Sequence, residues 1–180
     1  MTSLLPMPEI ETERLLLRGW RASDAEPIMS IFKDAENSKY IGGVKPRWQA
    51  WRHFAMILGH WHLRGFTAFA VEEKASGNAL GYVGPWYPEE WPEPEIGYAL
   101  LPEAQGKGYA TEASLASLKY AYDELGWETA ISLIDKENIG SKHVAGKLGA
   151  SHEEDALLFG EHAAEVWRHL PPQEFRERFA

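Results

Sequence analysis

Between Glu95 and Leu125 the sequence passes from a strand pattern through a glycine-rich loop into a helix pattern, and this passage constrains the fold more than any other segment. Ile96 to Leu101 is apolar on both faces and reads as a central strand. After Pro102 comes Gln105-Gly106-Lys107-Gly108, then a helix whose buried face is marked by Leu115, Leu118, Tyr122 and Leu125, with Gly126 placed as its C′ residue. A helix amino terminus offers unpaired N–H groups and about half a positive charge, so it attracts phosphate. Gly106 and Gly108 remove side chains where a backbone approaches a ligand closely, and Lys107 adds a positive charge. The Gly-Lys-Ser/Thr ending of a P-loop is absent, and so is the third glycine of a dinucleotide fingerprint. These residues alone fit either a phosphate-bearing ligand or a plain turn.

The rest of the chain reads as alternating elements. Arg14 to Arg18 is a first strand, and Ser23 with Glu26 matches a capping box ahead of a helix carrying Ile28, Ile31, Phe32 and Ala35. Ile41 to Pro46 is a loop. A second helical stripe runs through Trp48, Trp51, Phe54, Ala55, Leu58, Trp61 and His62 to Gly65, with its tryptophans expected in the core. Phe66–Val71 and Leu80–Val83 are strands around the turn Ala75–Asn78, and the proline-rich stretch from Gly84 to Pro94 is expected to be irregular. Ala130–Ile134 is a strand, Ser141–Leu148 a helix, and Ala156–Phe159 with Ala163–Trp167 a last hairpin around Gly160. With no repeat or linker, residues 1–180 read as one α/β domain, a mixed sheet flanked by helices.

The chain has no cysteine, which removes disulfides, thiolate metal sites and a cysteine nucleophile, and suits a cytoplasmic location. Its 18 basic and 27 acidic residues give a net charge of −9, a field that disfavours nucleic acid and favours a cation such as an amine. No stretch approaches the 18 apolar residues of a membrane span, and Met1 to Pro8 lacks the basic start of a signal peptide.

Gln105-Gly106-Lys107-Gly108-Tyr109-Ala110 resembles the Gln/Arg-x-x-Gly-x-Gly/Ala motif of the GNAT acetyltransferases. Asn138-Ile139-Gly140-Ser141 and Val144 to Gly149 resemble that superfamily's second motif. The opening Glu11 to Arg18 and the strand Glu95 to Leu100 look like its ribosomal-protein N-acetyltransferase branch. The resemblance implies a mostly antiparallel sheet with two splayed central strands, and acetyl-CoA as co-substrate. It implies backbone contacts from Tyr98, Ala99 and Leu100 to the pantetheine arm. Gln105 and the amides of Gly106, Lys107, Gly108, Tyr109 and Ala110 would hold the pyrophosphate, Asn138 the pantetheine, and Ser141 would lie near the sulfur. The acceptor implied is a small-molecule amine or a protein amino terminus, and monomer and homodimer both fit.

Transfer of an acetyl group to an amine needs a base, because amines of pKa near 10.4 are protonated at neutral pH. Glu95, at the head of the strand entering the site, is the first choice, against a solvated strand end; Asp155 and Glu154 are alternatives. Several relatives in the superfamily carry a tyrosine acid seven positions after the motif asparagine, where this chain has Ala145. Ser141 then becomes the candidate to steady the leaving thiolate, or else a helix cap. Without an acid, a non-catalytic acyl-CoA-binding module is the rival reading. His60 and His62 share no helix face, so no metal site is expected, and the lone His143 reads as solvated or structural. Trp86 and Trp91 are read as walls of an acceptor pocket or as loop staples. Glu89, Glu90 and Glu93 read as a lure for an ammonium group or as a solvated run.

Overall fold

The computed structural model describes residues 6–179, so Met1 to Leu5 of the stretch read as lacking a signal peptide lie outside the described residues. In chain order the elements are β1 (Ile10–Glu11), β2 (Leu15–Arg18), α1 (Ala25–Ser30), α2 (Ala35–Ser38), α3 (Arg47–Arg64), β3 (Phe69–Glu73), β4 (Ala79–Trp86) and β5 (Glu95–Leu100). There follow α4 (Tyr109–Asp123), β6 (Ile131–Ile134), α5 (Ile139–Lys147), β7 (Ser151–Leu158), β8 (His162–Arg168) and α6 (Pro172–Phe179). The strands form one sheet in the order β1-β2-β3-β4-β5-β6-β8-β7. Every pair is antiparallel except β5 with β6, which run parallel and share one registered pair, Glu95 with Ile131. The mixed, mostly antiparallel α/β architecture with two diverging central strands is therefore the one observed.

Helices cover both faces, as the apolar run of β5 requires. Leu100 joins Leu15, Leu17, Phe69, Val71 and Val83 in a core capped by Ala113 of α4. Its neighbours Ala99 and Leu101 point the other way, into a core with Ile28, Phe32 and Phe54 of the amino-terminal helices. Successive strand side chains alternate faces, so one strand feeds two cores. A third cluster joins Ile96, Leu118 and Tyr122 to Phe175 of α6. Among the described residues, no helix is long and apolar enough to cross a membrane.

Four expectations are corrected. The Ser23–Glu26 capping box does not form; the Asp24 carboxylate instead accepts from the Arg21 N–H at 2.7 Å and from the Arg18 guanidinium at 2.8 and 2.9 Å. That pairing ties the chain to β2, and the expected single helix becomes α1 and α2 separated by a short turn. β4 runs on through Pro85 to Trp86, because past the pair of Phe69 with Val83 it has only β5 as neighbour, and an edge position tolerates proline. Trp48 and Trp51 are 57% and 58% exposed, since α3 buries the face of Ala50, Phe54 and Ile57 instead. β1 and α6 were not read from the sequence at all.

Arg18 and Asp24 are each 3% exposed at the side chain, and Glu72 accepts a further bond from Arg18 Nε at 2.7 Å. Removing one member of a buried pair leaves the other charge uncompensated. Asp24→Ala is therefore expected to cost about 3 kcal/mol in denaturant unfolding; a loss under about 1 kcal/mol would contradict this account of how β2 holds the following helix.

Candidate active site

The site begins where the sheet comes apart. Ile131 N–H donates to Pro94 O at 2.9 Å, where β5 and β6 share their registered pair of Glu95 with Ile131. Side chains then take over: Leu133 N–H donates to Glu95 Oε1 at 3.0 Å, and Ser132 Oγ donates to Ile96 O at 2.9 Å. The carboxylate thus occupies the place of a ladder carbonyl, and beyond it the strands separate around a cavity of about 900 Å³. Its walls include Glu95 and Tyr98 of β5, Ser141 and Ala145 of α5, His53 and Met56 of α3, Trp86 at the end of β4, and Trp91 and Phe159 from loops.

Glu95 is 7% exposed, so it is no solvated strand end. Trp91 Nε1 donates to its second oxygen at 2.8 Å. Burial disfavours the charged form and pushes the carboxyl up to about 7, while the bonds from Leu133 and Trp91 pull the other way. A Cβ on Gly97 would lie 3.7 Å from the carboxyl carbon, an ordinary contact distance, so the Glu95 side chain folds back over its own strand. Half-buried Tyr82 lies on the next strand, its hydroxyl 3.1 Å from His53 Nε2. Burial holds His53 down to about 4, hence neutral, and raises the Tyr82 hydroxyl.

On the α5 side, Tyr98 Oη and Ser141 Oγ share a hydrogen bond of 2.9 Å. Asn138 caps α5, its Oδ1 accepting from Ser141 N–H at 3.1 Å. Ser141 is therefore not the cap, and the oxygen of Asn138 is already engaged, which leaves its amide nitrogen. The side chains of Ala99 and Leu100 are buried in opposite cores, so only their backbone could meet a ligand.

Gly106 and Gly108 have φ of 72° and 82°, a left-handed geometry that favours glycine. Gly108 is the N-cap of α4, and no side chain caps that terminus, so its first amides keep their donors. Gln105 folds back onto Leu100 O at 3.1 Å and onto Asn37. Lys107 O accepts from Arg14 Nη1 at 2.9 Å. Glu112 in the first turn of α4 in turn binds Thr12 Oγ1 at 2.6 Å, Arg14 N–H at 2.8 Å and Arg14 Nε at 2.7 Å. The amino-terminal run thus clamps the loop and helix, a role its sequence did not disclose. Tyr109 is buried with its hydroxyl on Glu73, and Ala110 packs on the core beside it.

Other candidates fall away. Asp155 and Glu154 do not line the cavity, and Asp155 lies exposed beside His152 at 3.1 Å. His60 is buried, with Nδ1 donating to Phe66 O at 2.7 Å and Nε2 accepting from Tyr87 N–H at 3.3 Å. Trp86 stacks on that ring at 4.5 Å. His143 is exposed. Glu89 pairs with Arg64 and Glu93 with Arg168, so the acidic run is largely neutralised. His152, Asp155 and Glu165 bring ligand atoms within 4.8 Å of one another, but Lys142 already holds Glu165 at 2.8 Å.

A model of the acetyltransferase (GNAT) domain family matches residues 14–151. YkkB of Bacillus subtilis is 31% identical over 149 residues, 78% of this chain and 84% of its own length. The crystal structure of an acetyltransferase from Agrobacterium tumefaciens superposes with a TM-score of 0.84 at 27% identity, covering 92% of this chain and 96% of that one. A spermidine N-acetyltransferase from Vibrio cholerae, solved in complex with CoA and spermine, has the same fold at 18% identity, with a TM-score of 0.73 over 92% and 99% of the two chains.

Carbon-13 resonances of labelled glutamate side chains are expected to contain one carboxyl with a midpoint near 7, missing in Glu95→Gln. The sign for stability follows. The unfolded chain releases this proton near 4.5 and the folded chain near 7, so the folded state loses about 3 kcal/mol as pH rises across that window. A Glu95 midpoint near 4.5 would contradict this account of its burial.

Proposed function

The chain belongs to the GNAT acetyltransferase family, and from that premise we propose that it transfers the acetyl group of acetyl-CoA to a primary amine by direct attack in a ternary complex. The observation that carries the reading is the seam between β5 and β6, where a carboxylate near neutrality faces a cavity bordered by a free strand edge.

The residues present suit the co-substrate. The uncapped start of α4, with Gly106 and Gly108 in their left-handed turns, fits a pyrophosphate. The amides from Gly106 to Ala110, with Lys107 beside them, would hold it, while Gln105 supports the loop from below. The edge of β5 from Tyr98 to Leu100, whose Leu100 carbonyl Gln105 already meets, would pair with an extended arm, and the amide nitrogen of Asn138 would add a bond. When bound, acetyl-CoA supplies a thioester carbonyl.

The chain's own groups divide the rest. Glu95 takes the proton of the incoming ammonium, and its position near 7 matches that task at neutral pH. A backbone N–H of the β5 edge polarises the carbonyl oxygen, a contribution of about 3 kcal/mol where single donors have been removed elsewhere. The Tyr98–Ser141 pair holds a proton for the leaving sulfur; burial raises the tyrosine so that it keeps that proton at neutral pH. Ser141 of this pair lies four positions before Ala145 on α5, the position where the family resemblance implies a tyrosine in several members. Trp86 and Trp91 wall the acceptor side, and the net negative charge draws an amine inward.

Calorimetric titration with acetyl-CoA is expected to give micromolar binding, and Gly108→Glu to weaken it by about 100-fold, or roughly 2.7 kcal/mol. The variant places a carboxylate and a strained φ at the loop. Equal affinity in both proteins would remove the loop as the pyrophosphate site.

A further inference from the structure

Glu95 receives two hydrogen bonds of different origin. The one from Leu133 N–H is fixed by the sheet, whereas the one from Trp91 Nε1 at 2.8 Å depends on a single side chain in the loop between β4 and β5. That indole is only half-buried, so filling a core is not its task. The surrounding chain nevertheless holds it by three separate devices. Trp91 N–H closes a turn onto Pro88 O at 3.2 Å. Glu93 forms a two-pronged ion pair with Arg168 of β8 at 2.7 and 2.9 Å, pinning the loop two residues on. Phe159, at the tip of the β7–β8 hairpin, packs its ring 5.7 Å from the indole.

Backbone strain collects at the same place. Among the described residues, the non-glycine positions with positive φ are Glu90 at 62° and Phe159 at 52°. One is the chain neighbour of Trp91 and the other its ring contact. Such conformations cost about 1–3 kcal/mol each and cluster where a geometry is held for function.

We propose that Trp91 is the positioning residue of the proton-accepting step: its indole N–H fixes the Glu95 carboxylate in the cavity and favours its charged, proton-accepting form, with Phe159 seating the indole from the β7–β8 tip. This rests on Glu95 being the base of the acetyl transfer. Of the titratable side chains packed nearby, Tyr82 of β4 has its hydroxyl raised by burial with His53 of α3 behind it, and His169 after β8 reaches Ser132 of β6 at 3.0 Å. His53 and His169 are both held near 4 by burial. In the loop, Glu89 and Glu93 are paired with Arg64 and Arg168. The indole donor is thus the one side-chain hydrogen bond to Glu95 among the described residues, and its loss has a defined direction.

The test uses Trp91→Phe, which keeps a ring and deletes the donor. The Glu95 midpoint, read by carbon-13 resonance without any turnover, is expected to rise by about one pH unit or more. The acid limb of the kcat/KM profile is expected to move with it, with about tenfold lower kcat/KM on that limb and unchanged acetyl-CoA affinity. Phe159→Ala, which unseats the indole without deleting it, is expected to move the midpoint the same way by less, and it carries the test if Trp91→Phe does not fold. A lowered Tm with an unmoved midpoint would reduce Trp91 to a structural role and overturn the proposal. A midpoint that moves without the kinetic limb would overturn it differently, by removing Glu95 as the base while leaving the acetyl-CoA site intact.

Discussion

The structure turns on the way a parallel seam is ended. Where two strands diverge, backbone groups that would have paired are left in a buried place, at a cost of about 1–3 kcal/mol for each one unsatisfied. Here side chains meet them in sequence. Glu95 receives Leu133 N–H, and Ser132 donates to Ile96 O. Because that serine proton is committed, His169 donates to Ser132 from Nε2, which leaves Nδ1 bare and buried without a hydrogen-bond partner among the described residues. Burial keeps this imidazole neutral. The seam is closed by a small polar cluster, and the one group in it that titrates near neutrality is the carboxyl facing the cavity.

The remaining parts of the site are arranged around that opening by distant contacts. The loop before α4 owes its position to Thr12 and Arg14, which reach Glu112 across the sheet. The Glu95 side of the cavity is bounded by a loop pinned to β8 and by the tip of the β7–β8 hairpin. Rigid scaffolds commonly carry chemistry on such loops, and here the loop before β5 reaches Glu95 through Trp91, which the hairpin tip contacts through Phe159.

How much of this was legible in the sequence depended on range. The passage from strand through Gln105–Gly108 into helix was readable because glycine, periodicity and a helix terminus are local signals. Glu95 stood out because it heads that strand, although a solvated end and a buried base look alike in sequence. Contacts between residues about 100 positions apart leave no periodic trace, so the clamp of Thr12 and Arg14 on Glu112 was invisible. The spacing of Trp48 and Trp51 identified a helix correctly but not its buried face, which depends on what packs beside it. Pro85 misled because its tolerance in β4 follows from the absence of a neighbour on one side. The pairing of Tyr98 with Ser141 joins a strand to a helix 43 positions on, so it too left no local trace.

The central claim is that the carboxyl ending the β5–β6 seam is the proton acceptor of an acetyl transfer. The most direct measurement is kcat/KM for acetylation of a primary amine against pH, in the natural protein and in Glu95→Gln. The account predicts an acid limb with a midpoint near 7 in the first, and its disappearance with a rate loss of about 100-fold or more in the second. An identical limb in both proteins would contradict it.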